Sequence, residues 1–226
     1  MTKSEEAVLK RITFLFPTPI RNIIKTVFLR IRFIYNRYLY VEHGPYTYLG
    51  IGFRLNCSSS CRVKIGRETH AEEFNVWEAR SGSITVGARC FFGLRNVIMG
   101  PVTIGDDVST GPFVCVLGPR HATSGFVSES DTQTVIGHNV WISTGAIIHF
   151  GISIGDSAVI GPGAVVTKDV PAAAYVAGNP ARDITKLSGL EESLRKRSKD
   201  YAACQREAPE TNKTHPPPST APVAEV

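Results

Sequence analysis

Ile136, Ile142, Ile148, Ile154, Ile160 and Val166 stand six residues apart, and all are aliphatic and β-branched. Four positions after each comes a second small or aliphatic residue: Val140, Ala146, Ile152, Ala158, Ala164 and Val170. Gly137, Gly155 and Gly161 directly follow three of these anchors. An amphipathic helix repeats its apolar positions near every 3.6 residues, and a half-buried strand every 2. A period of six is neither. It marks a short repeat in which each unit buries one side chain and the stacked units share a continuous core. Such a chain runs extended for a few residues, turns, and runs extended again, with one aliphatic side chain per face aimed at a common axis.

The same spacing appears upstream in Val86, Phe92, Ile98, Ile104, Thr110 and Val116. Their companions four positions on are Cys90, Asn96, Val102, Val108, Val114 and Arg120. Between the two series, from Arg120 to Val135, the phase slips by two. A coil changes phase only by letting out a loop. The pattern therefore predicts an all-β solenoid over residues 86–177, with one loop inserted near residues 121–135. Fragments such as Val63-Lys64-Ile65-Gly66 in residues 43–85 read as irregular first coils, out of phase with the rest. The solenoid domain then spans residues 43–183. Asn96 holds an inward position, where it either contacts a ligand or bonds backbone within the coil.

Helical periodicity appears only at the two ends. Ile20, Ile23, Ile24, Val27, Ile31, Ile34 and Tyr38 follow helical spacing, with Arg21, Lys25 and Arg32 on another side. The basic residues interrupt the apolar run too often for a signal peptide or a membrane span. Two readings of this basic helical segment, residues 1–42, are compatible. It caps the open end of the solenoid, or residues 19–38 lie on an anionic membrane surface. Near the other end, Ser188 and Glu191 match a capping box ahead of Leu190, Leu194 and Tyr201. They predict a C-terminal helix within residues 184–206. Residues 207–226 contain five prolines and no aromatic residue, the composition of a disordered tail.

Charge and cysteines narrow the function classes. The net charge is +5, yet residues 1–41 alone hold eight Lys/Arg against two Glu. The solenoid is therefore not basic, which excludes nucleic acid as its partner. Five cysteines is an odd number spread over a mid-sized chain, which fits reduced thiols and a cytoplasmic setting. Cys57 and Cys61 lack the second pair that a four-ligand zinc site needs. A solenoid has no deep pocket of its own, so attention falls on the inserted loop, which opens with Gly118-Pro119-Arg120-His121. A histidine there is either a general base near neutral pH or a plain surface residue.

Three strings carry a resemblance. They are Ile136-Gly137-His138-Asn139-Val140-Trp141-Ile142, the stretch from Ile154 through Gly161-Pro162-Gly163 to Pro171, and Ala177-Gly178-Asn179-Pro180-Ala181-Arg182. Together they resemble the hexapeptide-repeat acyltransferases, nearest to the galactoside, maltose and polysaccharide O-acetyltransferases. The resemblance covers residues 86–183. It implies a left-handed parallel β-helix with three hexads per triangular turn. It also implies a homotrimer with each active site between two subunits, and acetyl-CoA as acyl donor in the groove between neighbouring solenoids. The family's catalytic histidine ends a hexad just before the loop, and His121 holds that place. His121 would take the proton of an acceptor hydroxyl, and the oxygen would attack the thioester directly.

The donor-contacting positions that match the family pattern are Thr144, Pro162, Thr167, Lys168 and Arg182. Lys168 and Arg182 suit phosphate groups; the bland alternative is that they are ordinary solvated charges. Ser143 stands where glycine is common, and Pro162 where a small residue is common. The sugar acetyltransferases carry an acceptor-side asparagine where this chain has Phe91, so that role is not carried over. Asn96 and Arg120 remain candidates for acceptor contact. Arg120 either holds an anionic acceptor or is an exposed loop charge.

The same fold also hosts a zinc anhydrase that binds metal through three histidines, two of them five residues apart. Here Ser143 fills the slot five after His138, and His149 comes one hexad too late. No metal is expected. The resulting expectation is a CoA-dependent O-acetyltransferase acting on a sugar or glycan precursor, in the cytoplasm or peripheral at the inner face of the membrane. The alternatives are N-acylation of an amino sugar attached to a nucleotide, and a solenoid scaffold without activity.

Overall fold

The computed structural model describes residues 41–58, 60–119, 133–186 and 189–207, with side chains as far as residue 203. The N-terminal amphipathic helix, Arg120, His121, Ser188 and the tail beyond residue 207 lie outside the described residues.

The repeat builds three parallel sheets wound about one axis. Face A stacks six strands, from Val41–His43 through Val63–Ile65, Ile84–Val86, Val102–Ile104 and Thr134–Ile136 to Ser153–Ile154. Face B carries eight, from Tyr48–Leu49 to Arg182–Asp183, and face C carries six, from Arg54–Cys57 to Val165–Val166. Every pairing is parallel except the last on face B, where Arg182–Asp183 runs antiparallel to Tyr175–Ala177 and ends the sheet. The chain completes five turns between the first and last strands of face A.

The anchors read from the sequence are the core. Ile136, Ile142, Ile148, Ile154, Ile160 and Val166 are all buried, as are Val86, Phe92, Ile98, Ile104, Thr110 and Val116. Parallel register sets each anchor on the one below it, as in Ile104↔Ile136 and Ile136↔Ile154. The step from Ile104 to Ile136 carries the insertion, and the step from Ile136 to Ile154 does not. The longer step exceeds the shorter by a multiple of six plus two, which accounts for the slip in phase. The insertion closes before Thr134, because face A resumes there.

The early coils are longer than the later ones. Val41 pairs with Val63 and Val63 with Ile84, and both steps are longer than that from Ile136 to Ile154. Their face C strands, Arg54–Cys57 and Val76–Ala79, are four residues long. The extra residues sit at the corner between faces C and A, after Arg54–Cys57 and after Val76–Ala79, ahead of the face A strands that begin at Val63 and Ile84. Ile65, Ala71 and Trp77 keep the six-residue spacing within their coil, but the corner puts them out of phase with Val86, Phe92 and Ile98, as expected. Trp77 is fully buried, with Phe53 and Phe92 meeting it edge-on at centroid distances of 5.2 and 5.1 Å.

Glycines sit where one coil's turn lies directly on the next. A Cβ on Gly87 would fall 2.3 Å from Oδ1 of Asp106, and one on Gly137 at the same distance from Oδ1 of Asp156. Those carboxylates accept the backbone N–H of Ala88 at 2.8 Å and of His138 at 2.7 Å.

Helix α1, Glu191–Glu207, is the one helix among the described residues. Its start departs from the expected capping box. The Leu190 carbonyl accepts the first helical bond, from the Leu194 N–H at 2.9 Å. Glu191 is thus the first helical residue, not the third, and acts with Glu192 on the helix dipole instead. Leu194, Arg197 and Tyr201 form the stripe that meets the solenoid. Leu194 is buried, Arg197 donates to the Asn139 carbonyl at 2.7 Å and to its Oδ1 at 2.9 Å, and the Tyr201 ring stacks beside His138. No described helix is long and apolar enough to cross a membrane.

Two outcomes test this packing. Trp77→Ala should destabilise the protein by about 3–5 kcal/mol in denaturant titration, and Trp77→Phe by clearly less. Burial first, and the nearby Asp107 carboxylate second, push the Tyr201 phenol above its ordinary value. A group whose folded pKa is raised lends stability that is present below its unfolded pKa and lost as pH rises. The melting temperature should therefore fall more steeply above about pH 10 in the wild type than in Tyr201→Phe.

Candidate active site

The insertion leaves the prism at the edge between faces C and A. Leu117-Gly118-Pro119 follow the strand Cys115–Val116, and face A resumes at Thr134. Gly118 lies tight against Met99 of the coil before, since an added Cβ would stand 3.1 Å from the Met99 Cβ. The next rungs on this edge are fixed by ladder bonds that run past the strands. The Leu117 N–H donates to the Ile148 carbonyl at 2.9 Å, and the His149 N–H to the Val166 carbonyl at 3.0 Å. Leu117, His149 and Thr167 are therefore successive rungs. With strands about 4.8 Å apart, Thr167 stands roughly 10 Å along the edge from where the loop departs. Thr167 and Lys168 are exposed there, and Asp169 Oδ1 accepts the Ser153 N–H at 2.8 Å.

Thr144 and Pro162 occupy the neighbouring edge, between faces B and C. Both are exposed, and Gly163 donates to the Thr144 carbonyl at 2.9 Å. The turn at Gly178–Ala181 ends this edge, with the Ala181 N–H donating to the Val165 carbonyl at 2.8 Å. Arg182 follows on the antiparallel strand, exposed, with one guanidinium N–H on the Ala181 carbonyl. The five donor-side residues thus divide into Thr144, Pro162 and Arg182 on one edge and Thr167 and Lys168 on the next. Face C lies between them. Pro162 and Thr167 are joined by a short extended stretch, at most about 17 Å of chain.

The outward row of face C is apolar. Val97, Cys115, Ile147 and Val165 are paired in register and half-buried. Burial pushes the Cys115 thiol above its ordinary value, and Cys90, inside the core, is pushed up to about 12. Burial, then the neighbouring Cys61, raises Cys57 as well. None of these three is an activated thiolate.

Asn96 does not reach the surface. It is fully buried, donates to the Thr110 hydroxyl at 2.5 Å and accepts the Val114 N–H at 2.8 Å. Of its two readings, the bond to the coil is the one present, and contact with an acceptor is excluded by burial. Asn75 holds the equivalent place one coil earlier and also bonds the coil, donating to the Glu72 and Gly93 carbonyls. His138 and His149 sit on different edges, and the His138 Nδ1 accepts the Asp106 N–H at 2.9 Å.

Two features escaped the sequence reading. One is a polar cluster under α1, where Arg89 grips Asp107 with bonds of 2.7 and 2.6 Å, and that carboxylate holds the guanidinium firmly protonated. The other is Trp141, which points outward and is 51% exposed. Its signal was available, because the residue before each anchor faces away from the axis.

Comparison with known proteins agrees with this architecture. The family described as "Hexapeptide repeat of succinyl-transferase" matches residues 83–109 and 133–168, which flank the insertion. The galactoside O-acetyltransferase of Escherichia coli (strain K12) is 34% identical over 123 residues, 52% of this chain and 61% of that protein. A chloramphenicol acetyltransferase of Agrobacterium fabrum (strain C58 / ATCC 33970) is 53% identical over 67 residues, 30% of this chain and 31% of that one. The chain therefore spans less than two thirds of either relative. Among solved structures, an N-acyltransferase from Bacillus cereus in complex with dTDP-4-amino-4,6-dideoxyglucose and coenzyme A shares the fold at a TM-score of 0.51. It is 16% identical, and the match covers 66% of this chain and 90% of that one.

The buried amide makes a direct test. Asn96→Ala strands the Val114 N–H and leaves the Thr110 hydroxyl with only the Gly93 N–H, and should destabilise the protein by about 1–3 kcal/mol in denaturant titration. Restoring stability with low temperature or osmolyte should restore whatever binding the wild type shows, because the side chain touches no ligand.

Proposed function

Since the chain belongs to the hexapeptide-repeat acyltransferase superfamily, we propose that it is an acyl-CoA-dependent acyltransferase that moves acetyl to a hydroxyl of a sugar or glycan precursor, with His121 as general base. The observation that carries the proposal is the sharing of one edge. Lys168 and Thr167 stand on the edge that lets out the loop bearing His121, about two coils from its exit.

The His121 imidazole takes the proton of the acceptor hydroxyl. The oxygen attacks the thioester carbonyl, a C–O bond forms, and backbone N–H groups stabilise the oxyanion. Collapse breaks the C–S bond, and the departing thiolate takes the proton back from the imidazolium. No acyl-enzyme is needed, which fits the raised thiols of Cys57, Cys90 and Cys115. Lys168 and Arg182 hold donor phosphates, with Thr144, Pro162 and Thr167 along the donor's path. The apolar row of face C suits the donor's uncharged arm. Arg120, next to the base, would select an acceptor with an acidic group.

An amine acceptor would use the same base. The Bacillus cereus structure holds an amino-sugar nucleotide, so N-acylation is the second reading. A scaffold without activity would have no use for His121, Lys168 and Arg182 together. The unit at work would be a homotrimer in the cytoplasm, peripheral to the inner membrane surface through the basic residues 19–38.

His121→Ala should lower acetyl transfer, measured as free thiol released in the presence of a sugar acceptor, by at least about a hundredfold. Acetyl-CoA affinity should stay unchanged. Normal turnover by this variant would remove His121 from the mechanism. In the wild type, kcat/KM should rise with pH through the range where an imidazole loses its proton, near about pH 6.5.

A further inference from the structure

The edge between faces C and A carries a row of side chains that runs past the exit of the insertion. Register on face C sets Leu117 beside Met99, His149 beside Leu117, and Thr167 beside His149. A single rung, that of His149, therefore separates the rung where the chain departs from the rung of Thr167 and Lys168. Parallel strands lie about 4.8 Å apart, so His149 stands roughly 5 Å from each.

His149 follows the inward anchor Ile148 and so faces outward, half-buried. Its backbone N–H donates to the Val166 carbonyl at 3.0 Å, which fixes its place on the edge. Its imidazole has no partner among the described residues. The other described histidines all have one. His138 Nδ1 accepts the Asp106 N–H at 2.9 Å, His43 Nδ1 lies 3.4 Å from the Gly44 carbonyl oxygen, and the His70 ring packs between those of Tyr48 and Phe91. The fold gives His149 nothing to hold.

The surroundings of His149 are apolar. Met99 and Leu117 precede it on its own row, Phe150 follows it in the chain, and Val97, Cys115, Ile147 and Val165 form the adjacent row. The strand N–H groups of that row are spent on the ladder between coils. Cys115 donates to the Ala146 carbonyl at 2.9 Å, Ile147 to that of Ala164 at 2.8 Å and Val165 to that of Gly178 at 3.0 Å. A ligand lying here meets hydrocarbon, one weakly bonding thiol and one imidazole.

We propose that His149 binds the uncharged arm of the acyl donor, through a hydrogen bond between its imidazole and an amide of that arm. The inference rests on the acyl-CoA reading. With the donor's phosphates at Lys168 and its thioester at the loop that bears His121, the arm between them passes the one rung that separates the two. The chemistry matches. The arm carries secondary amides on an otherwise aliphatic chain, and an amide that loses water over hydrocarbon is costly to leave unpaired. A neutral imidazole offers one donor and one acceptor, the same pair that an amide presents. The role is one of binding, and His149 takes no proton in the transfer.

The test titrates acetyl-CoA by calorimetry into the full-length wild type and into His149→Ala, His149→Phe, His149→Asn and Lys168→Ala. It is run at low and high salt, at about pH 8.5, where an imidazole is uncharged. His149→Ala should weaken binding roughly three- to tenfold, and His149→Phe, which keeps a ring without its nitrogens, by a similar factor. His149→Asn, which keeps a donor and an acceptor, should recover most of the loss. The loss should be the same at both salt concentrations, whereas that of Lys168→Ala should shrink as salt rises. Melting temperatures should match the wild type, because the imidazole has no partner to lose. If the wild type binds acetyl-CoA and either His149→Ala or His149→Phe binds it equally well, the inference is overturned and the donor reading stands. A His149→Asn variant as weak as His149→Ala, or a His149→Ala loss that shrinks with salt and so places the imidazole on a phosphate, would also overturn it. A wild type that does not bind acetyl-CoA would overturn the donor reading and this inference with it.

Discussion

Everything in this molecule depends on the parallel stacking of one coil on the next. Each inward anchor rests on the anchor below it, and the backbone ladder between coils leaves almost no slack. Where a turn meets the turn above, the contact is so close that Gly87 and Gly137 leave no room for a Cβ beside Asp106 and Asp156. Two consequences follow. Side chains aimed inward keep their places in each coil, so extra residues are let out at the corners, as before Val63 and Ile84. Side chains aimed outward form straight rows, one rung per coil, and a row is the raw material of an extended binding surface.

Function then becomes a matter of which row faces which ligand. The loop that bears His121 can leave only at an edge, and it leaves at the edge shared by Thr167 and Lys168. Thr144 and Pro162 occupy the next edge, with the apolar row of face C between. On face B, the rings of Phe91, Trp141 and Tyr175 alternate with Ser109 and Val159, and α1 turns part of that row into a cleft. The rigid prism would hold the donor, while the loop carries the base.

Much of this was legible in the sequence because the repeat is short and strict. A β-branched residue every sixth position, often with a glycine after it, leaves few alternatives, and the loop announced itself as a slip of two. The early coils were legible as out of phase, but not the reason: Ile65, Ala71 and Trp77 keep the spacing of six, and extra residues at the corner before Ile84 shift it. The start of α1 was misplaced because Ser188 and Glu191 fit a capping pattern, yet the helix begins at Glu191, with Leu190 at its cap. Asn96 was left between two roles because an inward asparagine is ambiguous until its partners, Thr110 and Val114, are known. The cleft beside α1 was invisible, since it joins Ser109 of the solenoid to Ser193 of the C-terminal helix. Only the folded arrangement brings them together.

The most direct measurement of the central claim is calorimetric titration of the protein with acetyl-CoA, beside the variants Lys168→Ala and Arg182→Ala. The account predicts saturable binding, weakened about tenfold by loss of either cation and more by loss of both, with a dependence on salt that shrinks in each variant. Absence of binding, or binding indifferent to both cations, would contradict it.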